Sequence, residues 1–214
     1  MPRPRTISDE AILDSVLDLA HRVGPASVTL ATAAAEAGLS AATLVQRFQT
    51  KRNLLLAADK RGIDLWVSAL DAATAASPLT RILEGLVLAA GPATTPERMA
   101  NSVAMLQLDL AEPDFHAETL RGARAVRARI AAALAAARDA GELQPGTDVP
   151  VLAKLVETTY HGAMIGWAIH RDGTLADWMR EQLEAVLTPH QTSPSASAGA
   201  LPLHPATRWS MRSS

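Results

Sequence analysis

The chain has no cysteine. That excludes disulfides and thiolate metal sites, and it fits a reducing compartment such as the cytoplasm. Aromatic residues are nearly as scarce, with four Trp, one Tyr and two Phe, while hydrophobic residues overall make up 48%. The core must therefore be built from Ala, Leu, Val and Ile, and an Ala- and Leu-rich mixture favours helices. No apolar run approaches the roughly 20 residues of a membrane span. The opening MPRPRTISDE lacks the apolar segment of a signal peptide. Excess charge is missing too. The formal net charge is −2 over 214 residues, so bulk charge supplies no pull toward nucleic acid. No Gly-rich phosphate loop appears, and His116, His161 and His170 lack the i, i+4 spacing of a two-His helical metal site. No catalytic constellation, metal or cofactor is expected, and the chain does not read as an enzyme.

What the chain does have is concentrated in residues 28–51, VTLATAAAEAGLSAATLVQRFQTK. Thr29 can cap a short helix that carries Leu30 and Ala34 and runs from Ala37 into Gly38. Glycine there suits a left-handed helix end, because it has no Cβ to clash. Ser40 can cap a second short helix ending near Phe48. Two helices joined by about three residues containing Gly form a helix-turn-helix pattern. On a wheel of about 100° per residue, Leu44, Ala41 and Phe48 face inward and Ala42, Thr43 and Gln46 face outward. Val45 and Arg47 flank that outward arc. Lys51 and Arg52 follow, with Thr50 as the cap of the next helix. From Leu39 to Arg52 there is no acid. Outward residues on such a helix can meet base edges, and its flanks can meet phosphates. The plain alternative is the polar face of an ordinary helical hairpin.

From Ile7 to about Leu56 the sequence resembles the DNA-binding domain of the tetracycline-repressor (TetR) family of transcriptional regulators. The residues that carry the resemblance are Ile12 to Ala20, Gly24, Val28-Thr29-Leu30, Ala34, Glu36-Ala37-Gly38-Leu39-Ser40, Thr43-Leu44, Phe48, Lys51 and Leu54-Leu55. It implies DNA contacts from Thr29, Ser40, Ala42, Thr43, Val45, Gln46, Arg47 and Lys51. Three positions depart from the family pattern. Val45 stands where Tyr is usual, Arg47 where His is frequent, and Ala33 where a larger aliphatic is usual. Arg47 can still reach a phosphate; Val45 has no donor.

The remaining pattern is helical throughout. Ser8 caps a first helix, with Ile7 and Ile12 at staple spacing. Residues 1–6 read as a basic arm or a frayed end. A long helix from Lys51 to about Ala76 connects the head to a second domain. Further helices are expected after Ser77-Pro78, after Pro96 and after Pro113, the last ending at Gly141. Two more reach His170 and Leu187. Arg121, Arg124 and Arg127 form a basic row, expected to be solvated. From Pro189 the chain is rich in Ser, Pro and Ala and reads as disordered. The expected architecture is all-α. A three-helix helix-turn-helix domain (1–50) precedes a helical effector-binding and dimerisation domain (51–188) and a disordered tail (189–214).

The resemblance also implies a small-molecule effector held in the second domain, with Trp66, Met99, Met105, His116, Tyr160, Met164 and Trp167 as pocket candidates. It implies a homodimer through the last two helices, where Leu155, Gly162, Gly166, Trp178 and Leu183 are the interface candidates. The expected partners are a double-stranded DNA operator, a small apolar effector and a second copy, with no membrane. The expected function is a repressor released by its ligand. The alternative is a helical ligand-binding dimer whose DNA binding is weakened or lost.

Overall fold

The computed structural model describes residues 7–91 and 95–192. Within them the chain folds into nine α-helices. The basic arm at residues 1–6 and the tail from residue 193 onward, Trp209 included, lie outside the described residues.

Helix α1 (Asp9–Val23) begins where Ser8 Oγ accepts from the Ala11 N–H at 3.3 Å. Asp9 and Glu10 sit in its first turn, favourable at the positive end of the helix dipole. It ends at Gly24, at φ +81°, and an unforeseen 3-10 turn follows (Pro25–Ser27). Helix α2 (Leu30–Glu36) starts on a reciprocal cap. The Thr32 N–H donates to Thr29 Oγ1 at 3.0 Å and the Thr29 N–H to Thr32 Oγ1 at 2.8 Å. Gly38, at φ +68°, turns the chain, and Leu39 N–H returns to the Ala34 carbonyl at 2.8 Å. Helix α3 (Ala41–Phe48) is capped by Ser40, and α4 (Lys51–Ala72) by Thr50. Ile12, Val16, Val28, Ala33, Leu44 and Leu54 are completely or almost completely buried between these helices. Ala41, placed inward on the wheel, is exposed, because the first helical residue lies outside the contact between α2 and α3.

The expected boundary at residue 50 is not a break in packing. Leu54, Leu55 and Ala58 of α4, and Phe115 from further along the chain, share one core with Ile12 and Leu44. Helix α4 stops at Ala72, short of the expected Ala76, because Ala73 is extended (φ −72°, ψ 135°). The body continues with α5 (Pro78–Ala89), α6 (Pro96–Ala111), α7 (Pro113–Asp139), α8 (Val149–His170) and α9 (Leu175–Leu187). Its core is a column of Val126, Ile130 and Leu134 from α7, Tyr160 from α8, and Met179 and Leu183 from α9. Two glycines let neighbours approach α4. A Cβ at Gly85 would lie 2.9 Å from the Leu70 carbonyl oxygen, and one at Gly122 would lie 2.5 Å from Ile63 Cγ2.

Arg127 lies on the exposed row as expected, its side chain 48% exposed, and it also pairs with Glu157, which is buried on α8. One expectation is corrected in the body. The stretch beginning at Pro189 was expected to be disordered, yet residues 189–192 are held. Gln144 N–H donates to the His190 carbonyl at 2.8 Å and Thr192 N–H to the Glu142 carbonyl at 3.0 Å. The loop between α7 and α8 has backbone groups unused by helices, and the chain returning from α9 pairs with them.

Candidate DNA-reading head and effector cavity

Helix α3 presents Ala42, Val45 and Gln46 to solvent, with Thr29 and Ser40 exposed at the helix starts beside it. Val45 is 46% exposed. Leu44 holds the opposite side at 0%, so the helix is oriented as its periodicity indicates. Thr43 is half-buried, and its hydroxyl lies 2.8 Å from Ser40 Oγ. The three local cations described are all engaged. Arg47 Nη1 donates to the Ile7 carbonyl at 2.8 Å and to Asp9 Oδ1 at 3.0 Å, which ties α3 to the start of α1. Lys51 Nζ donates to the Ala26 carbonyl at 2.8 Å. Arg52 bridges to Glu112 and Asp114, each at 2.8 Å, and lies over the Phe115 ring. Both carboxylates raise the pKa of its guanidinium. The sequence alone did not suggest these tertiary pairings, because the partners lie far away along the chain.

A cavity of about 870 Å³ opens between α1, α4, α5, α6, α7 and α8. Trp66, Met99, Met105, Tyr160 and Met164, five of the seven expected pocket residues, line it. The other two do not. His116 is exposed on α7, one position past the buried Phe115. Trp167 is buried in the body's core, and its Nε1 donates to the Gly173 carbonyl, in the loop before α9, at 3.2 Å.

The cavity wall has an aromatic corner and an acidic corner. Trp66 stacks on Tyr160 with ring centroids 6.1 Å apart and donates from Nε1 to Tyr160 Oη at 3.1 Å. His161 lies 5.8 Å from Trp66 and 5.3 Å from Tyr160. Burial pushes the His161 pKa down and the Tyr160 pKa up. The acidic corner is Asp59 of α4 and Asp109 of α6, 9% and 8% exposed. Asp59 Oδ2 and Asp109 Oδ1 have no hydrogen-bond partner. Burial, and then the neighbouring Asp109, push the Asp59 pKa up to about 7. Burial pushes Asp109 up to about 6, with nearby Thr119 opposing a little. No hydrogen bond of ordinary length joins Thr119 to it. Neither Asp was singled out from the sequence, although a signal was present. Leu55, Asp59 and Ile63 are four apart, as are Met105 and Asp109, so each acid sits on an apolar helical line.

The last two helices leave one apolar face uncovered. Val151, Leu155, Thr158, Gly162, Ile165 and Ile169 recur every three or four residues along α8 and are all exposed. A Cβ at Gly162 would meet nothing within 4 Å. Leu183, expected at an interface, is 0% exposed and packs in the core. Gly166 faces inward, where a Cβ would lie 3.6 Å from the Trp178 ring, and Trp178 is half-buried against α8. These three residues hold α9 on α8. Among the described residues no group of three or more His, Asp or Glu is placed to hold a metal. No described helix is long and apolar enough to cross a membrane.

A helix-turn-helix head carried on a helix that continues into a larger helical body places the chain among helix-turn-helix transcription regulators. Two family models match it: "Bacterial regulatory proteins, tetR family" over residues 12–58 and "Tetracyclin repressor-like, C-terminal domain" over residues 101–183. The chain belongs to the tetracycline-repressor family. Solved structures agree on the fold. SmeT, the repressor of the Stenotrophomonas maltophilia multidrug efflux pump SmeDEF, is similar at 21% identity and TM-score 0.65, over 88% of this chain and 93% of that one. A TetR regulator from Haloarcula marismortui is similar at 18% identity and TM-score 0.73, over 86% and 98%. Reduced NemR from E. coli is similar at 17% identity and TM-score 0.69, again over 86% and 98%. No curated protein sequence matches the chain.

Proposed function

We propose that the protein is a cytoplasmic, homodimeric repressor that leaves its operator when a small molecule fills the cavity. The observation that carries this reading is the composition of the cavity wall. Leu17 and His21 of α1 line it together with Leu55, Asp59 and Trp66 of α4, so an occupant touches helices that also build the head. A ligand that prefers one spacing of the two helices shifts the population toward it. In a dimer, that moves the two heads off successive major grooves about 34 Å apart. SmeT has been solved as a complex with triclosan, which supports a cavity of this fold as a ligand site. The α8 face from Val151 to Ile169 is proposed as the dimer contact.

A second reading, a ligand-binding dimer without an operator, is favoured by the engagement of Arg47, Lys51 and Arg52 within the chain. Fluorescence anisotropy with duplexes from the DNA flanking its own coding region separates the two. The repressor reading expects one duplex to bind at least about 1,000-fold tighter than a scrambled one at the same salt concentration. Equal binding to all duplexes establishes the second reading instead.

A further inference from the structure

The effector cavity contains a feature that a neutral apolar ligand would not need. Two carboxylates, each more than nine-tenths buried, present unpartnered oxygens in a largely apolar chamber. Leaving a buried carboxylate without a partner is costly. The cations nearby relieve that cost only in part: the Arg121 charge opposes the rise at Asp59, but each is already paired with another carboxylate. Arg98 of α6 holds Asp18 of α1 at 2.8 Å, and Arg121 of α7 holds Glu118 and Asp64. Asp14 of α1 is held by Arg61. Glu118 acts on Asp59 as a further like charge. His21 of α1 and His161 of α8 are biased by burial toward their neutral forms. The aromatic corner of Trp66, Tyr160 and His161 shares the chamber, and aromatic ring faces attract cations.

We infer that the cavity selects a lipophilic organic cation, an amine or quaternary ion carried on an apolar frame, with Asp59 and Asp109 as its counter-charges and the Trp66–Tyr160 pair as its aromatic wall. This rests on the reading of the cavity as the effector site. The cation supplies the charge the two carboxylates lack, and its frame occupies the apolar remainder. Metabolic amines and foreign cations share this chemistry, and the site reads the charge and the apolar surface that they have in common.

The test uses two ions of nearly the same shape and opposite charge, tetraphenylphosphonium and tetraphenylborate, titrated calorimetrically into the full-length protein. At pH 8 the phosphonium ion is expected to bind at least about tenfold tighter. In the D59N/D109N variant the ratio is expected to fall to within about threefold, since Asn keeps the shape and removes the charge. Equal or tighter binding of tetraphenylborate by the unmodified protein overturns the inference. So does a phosphonium preference that survives both substitutions. If the double variant does not fold, the unmodified protein decides through pH, because neither probe titrates. The phosphonium preference should grow from pH 5 to pH 8 as Asp59 and Asp109 ionise and the two histidines lose any charge. A flat ratio overturns the inference.

Operator binding measured in the same titrations keeps the two readings apart. Charge-selective binding without DNA release leaves the cation site standing and removes the release mechanism. Release by both ions alike does the opposite.

Discussion

At the residue scale, the head is short of phosphate donors. Arg47 and Lys51 are satisfied by backbone carbonyls of Ile7 and Ala26, and Val45 is exposed with nothing to donate. Val45→Tyr should therefore add one neutral hydrogen bond to a phosphate in each subunit, worth about 0.5–1.5 kcal/mol net. Over two subunits that is roughly one to two decades in affinity. The gain should appear on operator and scrambled duplex alike, and the salt slope should not change, because Tyr carries no charge. Binding isotherms over a salt series check both. Unchanged or weaker binding would show that residue 45 packs on protein or on a thymine methyl instead. The exposure of Val45 was legible in its spacing from Leu44. The anchoring of Arg47 by the start of α1 was not, since that contact joins residues about forty positions apart.

At the element scale, helix boundaries followed local chemistry closely. Ser8, Thr29, Ser40, Thr50, Ser77 and Thr95 each accept from a backbone N–H at a helix start, as side-chain capping requires. What a helix does with its second face is a different question. Helix α8 buries Leu152, Val156, Tyr160 and Ala163 and leaves the Val151–Ile169 row open. Gly162 lies in the middle of that row, and a Cβ there would meet nothing within 4 Å in its own subunit. Gly162→Leu should therefore fit the monomer and overpack only a close contact with a second copy. Sedimentation at micromolar concentration is expected to show the unmodified protein as a dimer and the variant shifted at least tenfold toward monomer, about 1.4 kcal/mol. A far-ultraviolet circular dichroism spectrum should be unchanged. If the unmodified protein sediments as a monomer, the α8 face is not a dimer contact.

At the scale of the whole molecule, the cavity lowers stability in a pH-dependent way. Asp59 and Asp109 have folded pKa values of about 7 and about 6, above the roughly 3.9 of an unfolded Asp. The native state thus holds protons that the unfolded state releases earlier. The stability these groups contribute is fully present below about pH 4 and is lost as pH rises through 6 to 7. Asp59→Asn should consequently stabilise the protein at pH 8, by on the order of 1–4 kcal/mol, and by little at pH 4. Urea unfolding at the two pH values measures the difference. A gain of equal size at both would place the cause outside the charge. Keeping two costly carboxylates is consistent with a site whose ligand, rather than its fold, satisfies them.

The sequence by itself determined the helices, their caps, the turn at Gly38, the orientation of α3 and the family. Each depends on residues within a few positions of one another, through backbone hydrogen bonding, glycine's missing Cβ and helical periodicity. Tertiary structure alone decided which of two apolar neighbours lines the cavity and which fills the core, as with Tyr160 and Trp167. It also decided that Leu183 lies inside the subunit and Leu155 outside, that residues 189–192 return to the body, and that Arg52 reaches Glu112 and Asp114. Asp59 and Asp109 show the reason most directly. Their helical lines were visible in the sequence, but the burial of their charge depends on helices far apart along the chain closing around them.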